Sequence, residues 1–222
     1  MTDRTTADEG ALPHRIVHCT DGVQWLRDHP LPDDHAILTS LPDASELKRL
    51  SFAEWQRWFV DTAELVVRST PARCAAIFYQ TDVKRDGAWV DKAFLVQQGA
   101  QAAGGHLLWH KIVCRAPAGT TTFARPGYAH LLCVSRELRD PAERATPDVL
   151  PQLGAMTWPR AIGLEAARAA VAWLRAHAGA RCVVDPFCGV GTVLAVANQC
   201  GLPAIGVELN PGRAGKARAL VV

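Results

Sequence analysis

Residues 183–192 read Val-Val-Asp-Pro-Phe-Cys-Gly-Val-Gly-Thr, an apolar run that ends in a carboxylate and turns through two glycines into a helical run. A strand stopping at Asp185 and a helix starting near Thr192 leave free backbone N–H groups aimed at a bound carboxylate or phosphate. Gly189 and Gly191 permit a close backbone approach that a Cβ would block. About twenty residues further on, a second apolar run, Ala204-Ile205-Gly206-Val207, ends in Glu208, a spacing at which an acidic side chain commonly holds ribose hydroxyls. By residue chemistry alone a dinucleotide site, an adenosylmethionine site and a glycine turn without a ligand all stay open, because G-x-G is a weak signal.

Such a loop needs a sheet to carry it. Short β-type runs fall at residues 15–19, 36–39, 74–80, 106–114, 128–135, 182–185 and 204–208. Helical runs fall at residues 23–29, 52–69, 91–103, 162–177, 190–200 and 212–220. Ser51 with Glu54 three residues later makes a capping box for the longest helix. Strands alternating with helices predict an α/β fold with a parallel sheet covered on both faces. The runs at 106–114 and 128–135 follow one another without a helix, which predicts an antiparallel hairpin at one sheet edge. Residues 1–12 read as a disordered tail, and residues 13–222 as one domain with a polar, proline-containing connector at 136–156.

Composition sets bounds on the partners. Of 222 residues, 49% are hydrophobic and 21% charged, which suits a soluble globular chain. The net charge of +2 leaves any nucleic-acid-binding surface to be local. Seven cysteines, at 19, 74, 114, 133, 182, 188 and 200, are odd in number and form no C-x-x-C pair. They predict reduced thiols, a cytoplasmic setting and no metal site. Neither a signal peptide nor a membrane span is expected.

The stretch Asp185-Pro186-Phe187-Cys188-Gly189-Val190-Gly191-Thr192 resembles the cofactor motif of S-adenosylmethionine-dependent amino-methyltransferases of DNA and RNA. The resemblance implies a Rossmann-like, seven-stranded methyltransferase sheet with an antiparallel edge pair. It places Asp185, Pro186, Phe187, Gly189, Gly191 and Thr192 around the methionine part of the cofactor and Glu208 at the ribose, with Asn210 also among the cofactor-binding residues. The motif's position near the C-terminal end resembles the circularly permuted members, with residues 13–135 as the catalytic half and 157–222 as the cofactor-binding half. On the same match Asp21 faces the adenine, and Thr157 and Trp158 lie near the cofactor.

In those permuted members a strand ends in a (D/N/S)-P-P-(Y/F/W) tetrapeptide, and Ser40-Leu41-Pro42-Asp43 is similar to it. An exocyclic amine on a base is a poor nucleophile because its lone pair is delocalised into the ring. The Ser40 hydroxyl and the Leu41 carbonyl would accept both N–H protons and favour a pyramidal nitrogen. Pro42 biases Leu41 to an extended conformation, so most of the acceleration comes from positioning. Asp43 stands where the family has the aromatic residue that stacks on a flipped base. Asp43 would instead accept a proton or bind a ring N–H, with stacking supplied elsewhere.

The rim residues expected at the substrate are Tyr79, Gln80, Asp82, Lys84, Trp89, His110, Lys111, Phe123 and Arg125, a basic and aromatic mixture suited to looped or single-stranded nucleic acid. Residues 136–156 are too few for a target-recognition domain. The resulting expectation is transfer of a methyl group to a base nitrogen in RNA, tRNA above all, with a homodimer or a partner subunit left open. The alternatives are a DNA or small-molecule N-methyltransferase and a non-catalytic cofactor-binding subunit.

Overall fold

Four polar side chains start four helices by accepting the third amide beyond them. Asp21 caps α1 (Gly22–Asp28), Ser51 caps α2 (Phe52–Ser69) with Glu54 closing the capping box, Asp91 caps α3 (Lys92–Ala102), and Asn210 caps α6 (Pro211–Ala219). The remaining helices are α4 (Leu164–His177) and α5 (Thr192–Gln199). The structure, a computed structural model, describes residues 14–222 except 124, 142 and 144. The tail expected at 1–12 lies outside the described residues.

The strands are β1 (Arg15–His18), β2 (His35–Thr39), β3 (Ala76–Gln80), β4 (Val83–Arg85), β5 (Ala88–Val90), β6 (His106–Cys114), β7 (Tyr128–Ser135), β8 (Val149–Leu150), β9 (Cys182–Asp185) and β10 (Ala204–Val207). Eight of them form one sheet in the order β1-β10-β9-β2-β3-β7-β6-β8. The first five run parallel, β7 is antiparallel to both β3 and β6, and β8 is parallel to β6. The expected edge hairpin is therefore β6–β7. The sheet has eight strands rather than seven because β8, inside the segment expected as a connector, pairs with β6 at Ile112 and Val113. The separate hairpin β4–β5 turns through Asp86 and Gly87 at φ 50° and 83°.

One core layer, on the α1–α3 side, packs Trp25, Trp55, Phe59 and Val96 against Ile37, Phe78 and Leu132. The other, on the α4–α6 side, packs Val171, Leu174, Leu194 and Ala217 against Leu38, Ile77 and Val183. Central strands buried on both faces account for their near-continuous apolar sequences.

The last two strands lie between the first two, so the described N-terminal residues meet the C-terminal ones. Arg15 Nη1 donates to the carbonyls of Ala217 and Leu220 at 3.0 and 2.8 Å, and Arg218 Nη2 to that of Val17 at 2.9 Å. This order sets the C-terminal end of β9 directly beside that of β2, with Ile37 opposite Val184. Among the described residues no helix is long and apolar enough to cross a membrane.

Candidate active site

Asp185 ends β9 in the middle of the sheet and is buried. Thr39 Oγ1, at the end of β2, donates to its Oδ1 at 2.7 Å, and the Phe187 amide donates to the same oxygen at 3.1 Å. Burial pushes the carboxyl up to about 7, the Glu208 charge adds to this, and the Thr39 and Phe187 bonds oppose it. Gly191 takes φ +92°, and a Cβ there would sit 2.8 Å from the Ala217 Cα, so only glycine fits. It starts α5 without a side-chain cap, which leaves the first amides of that helix open to a ligand. Gly189 packs beneath the Trp158 ring, and Thr157 and Thr192 share a hydroxyl–hydroxyl bond.

The corner after β2 is pinned from three sides. Trp55 Nε1 donates to the Pro42 carbonyl at 3.1 Å, the Glu46 amide to the Asp43 carbonyl at 2.8 Å, and Lys92 Nζ to Asp43 Oδ1. The Leu41 side chain is buried as an anchor. Ser40 Oγ and the Leu41 carbonyl accept no hydrogen bond among the described residues.

The loop and the corner face one cavity of about 540 Å³. Of the residues expected at the cofactor, Asp21, Trp158, Asp185, Pro186, Phe187, Gly189, Thr192 and Glu208 line it. Thr157, Gly191 and Asn210 do not; they shape it through Thr192, through Ala217 and through the 2.7 Å hydrogen bond that the Asn210 amide donates to Glu208 Oε1. All four residues Ser40 to Asp43 line it. Ion pairs strap its cofactor side: Glu46 Oε2 meets Arg160 Nη1 at 3.1 Å and Arg213 Nη1 at 3.7 Å, and Arg213 Nε meets Glu208 Oε1 at 3.3 Å.

The expected rim divides. Tyr79, Asp82, Lys84 and Arg125 line the cavity. The other five do not. Gln80 is buried, and its amide has no partner among the described residues. Trp89 is half-exposed on β5 beneath Lys84 Nζ. Phe123 projects into solvent. His110 and Lys111 are successive residues of β6, whose alternation sends them to opposite faces. His110 bonds His130 at 2.9 Å, while Lys111 donates to the Thr146 and Pro147 carbonyls beside a separate apolar cavity.

Sequence reasoning missed Lys92, Glu46, Arg160 and Arg213. Lys92 carried a readable signal: it shares one helical face with Leu95, Val96 and Gly99, all buried, so a lysine there needs a partner. Behind it, Asp82 Oδ1 accepts the Lys92 amide at 2.9 Å and Asp82 Oδ2 accepts from His130 Nε2 at 3.0 Å. Burial alone would raise Asp82; the His130 bond, the Lys92 amide and the nearby His130 and Lys92 side chains together hold it below its ordinary value. Asp82, Asp91 and His130 group their polar atoms within 4.8 Å, and helix capping plus the His130 bond already engage each of them.

Gly22 couples α1 to the cofactor loop. A Cβ there would sit 2.1 Å from the Pro186 carbonyl oxygen, a backbone atom that cannot swing aside. Gly22→Ala is expected to cost about 1–3 kcal/mol by overpacking, seen in thermal denaturation as a loss of roughly 2–4 °C per kcal/mol. An unchanged melting temperature would contradict this contact.

Neither a protein-family model nor a curated protein sequence matches the chain. Solved structures do match it in fold. One is a Thermus thermophilus protein provisionally assigned as a DNA modification methylase and solved with S-adenosyl-L-methionine. It is 22% identical, with a TM-score of 0.69 over 92% of each chain. The PvuII DNA methyltransferase, cytosine-N4-specific, is 16% identical, with a TM-score of 0.73 over 93% of this chain and 86% of that one. The M1.HpyAVI–SAM complex is 13% identical, with a TM-score of 0.61 over 92% and 97%. The chain thus has the α/β fold of these proteins, a mostly parallel sheet with antiparallel pairs at one side.

Proposed function

We propose that the chain is an S-adenosylmethionine-dependent N-methyltransferase acting on an exocyclic amine of a nucleic-acid base. The observation that carries this reading is the 2.7 Å bond from Thr39 to Asp185. It fastens the glycine loop to the Ser40–Asp43 corner, two segments remote in sequence, so that a donor held by one meets an acceptor held by the other. Positioning of this kind can supply most of the barrier reduction.

The residues present fit the donor. Bound, it would supply an electrophilic methyl group on a sulfonium. Asp185 would take the ammonium of its methionine part through Oδ2, which has no bond among the described residues. The uncapped amides of α5 suit the carboxylate, Glu208 the ribose and Asp21 the adenine. Glu208 must then exchange Arg213 for hydroxyls. Ser40 Oγ and the Leu41 carbonyl, both unengaged, would orient the amine. Those unengaged acceptors favour catalysis over a purely cofactor-binding role. The position of β9 and β10 between β1 and β2 supports the circularly permuted arrangement.

The shortness of residues 136–156, too few for a target-recognition domain, speaks for structured RNA. The fold's likeness to DNA methylases weighs more heavily, and we place DNA first and RNA second. Incubation with tritium-labelled S-adenosylmethionine and pools of DNA and total RNA tests this. Label removed by deoxyribonuclease is expected; label removed only by ribonuclease moves the substrate to RNA, and no label in either pool contradicts the reading.

A further inference from the structure

We infer that Asp43 and Lys92 read the Watson–Crick edge of the target and select guanine, methylated at its exocyclic N2. This deepens the proposed function and rests on it. Both Lys92 and Asp43 line the cavity, and the carboxylate is the more open of the two, 37% exposed against 3%. Lys92 Nζ bonds Asp43 Oδ1 and makes no other bond among the described residues; Asp43 Oδ2 accepts none. Burying an ammonium costs several kcal/mol unless it is paired. This chain fixes one with a dedicated scaffold, in which Asp82 holds the Lys92 backbone and His130, backed by His110, holds Asp82.

The cavity lining thus offers two acceptors at Ser40 and Leu41, a carboxylate acceptor at Asp43 and, bonded to it, a donor at Lys92. Guanine offers the complement of this set: the N2 amine for the two acceptors, the adjacent N1–H for the carboxylate and the O6 acceptor for the ammonium. Cytosine and adenine place an unprotonated ring nitrogen beside their amine, and it would face the Asp43 carboxylate lone pair to lone pair. A site built from buried polar groups rejects an edge that leaves them unpaired by large factors. At least about a 100-fold preference for guanine is expected. In the transfer the N2–methyl bond forms as the donor's sulfur–methyl bond breaks, the sulfur keeps the electron pair, and the cationic N2 releases one proton to water.

The experiment supplies S-adenosylmethionine bearing a trideuterated methyl group, together with the DNA and RNA pools, to the full chain. Digestion and nucleoside mass spectrometry then identify the labelled base. N2-methylguanine nucleoside is the expected product. Label on N4 of cytosine or N6 of adenine overturns this inference while leaving the methyltransferase reading intact; no label on any base overturns both. In Asp43→Asn the amide can turn its N–H to the base. The guanine rate should fall at least tenfold while adenine or cytosine gains, with adenosylhomocysteine affinity unchanged. An equal loss on every base would assign the pair a structural role and overturn the inference.

Discussion

Affinity for S-adenosylhomocysteine, measured by calorimetry, is expected to fall about tenfold for each pH unit below 7 and to level off above it. The cause is Asp185, whose carboxyl is raised by burial to about 7. A ligand ammonium needs the ionised form, so below pH 7 each binding event must also expel a proton. The same group has the opposite effect on the free protein. Below the unfolded value of 3.8 both states hold the proton; between there and about 7 only the folded state does. Its contribution to stability therefore declines as pH rises through that window. Asp185→Asn should abolish both slopes and weaken binding roughly 10- to 100-fold at pH 8, the scale of a hydrogen bond to a charged group. A pH-independent affinity in the unaltered chain would contradict the role given to Asp185.

Ser40→Ala should lower turnover about 100-fold, comparable with removal of one preorganised polar partner from an active site, while adenosylhomocysteine affinity stays within about twofold. The separation follows from geometry. Ser40 lies in the corner after β2, whereas Asp185, the 186–192 loop and Glu208 lie at the ends of β9 and β10 and the start of α5, and Ser40 Oγ has no protein partner to lose among the described residues. Single-turnover methyl transfer with saturating cofactor reads the effect. Full activity in this variant would remove the serine from the chemistry and leave the Leu41 carbonyl alone to orient the amine.

The frame of the molecule was legible because its signals are local. Capping at Ser51 and Glu54, alternation of apolar runs and the glycine turn after Asp185 each state an element within a few residues, and all six helices lie within two residues of the expected spans. The β4–β5 hairpin was missed although Asp86-Gly87, a strong two-residue turn signal, sits at its tip; its three-residue strands were too short to register. β8 was missed because two residues carry no periodicity.

The site divides along the same line. Residues in one motif, such as Asp185 to Thr192 and Ser40 to Asp43, were found together. Partners that meet only in three dimensions were not: Lys92 reaches Asp43 across 49 positions, and Arg213 reaches Glu46 from the far end of the chain. His110 and Lys111 were placed at the rim by their chemistry, yet a strand's alternation turns one inward to a histidine relay and the other to the opposite face.

Methyl transfer by this chain requires one cavity shared by donor and acceptor. A crystal structure of the chain grown with S-adenosylhomocysteine tests this most directly. The ligand's amino group is expected at Asp185, its ribose at Glu208 in place of Arg213, and its sulfur turned toward Ser40 and Leu41. A ligand bound elsewhere, or with its sulfur turned away from that corner, would contradict it.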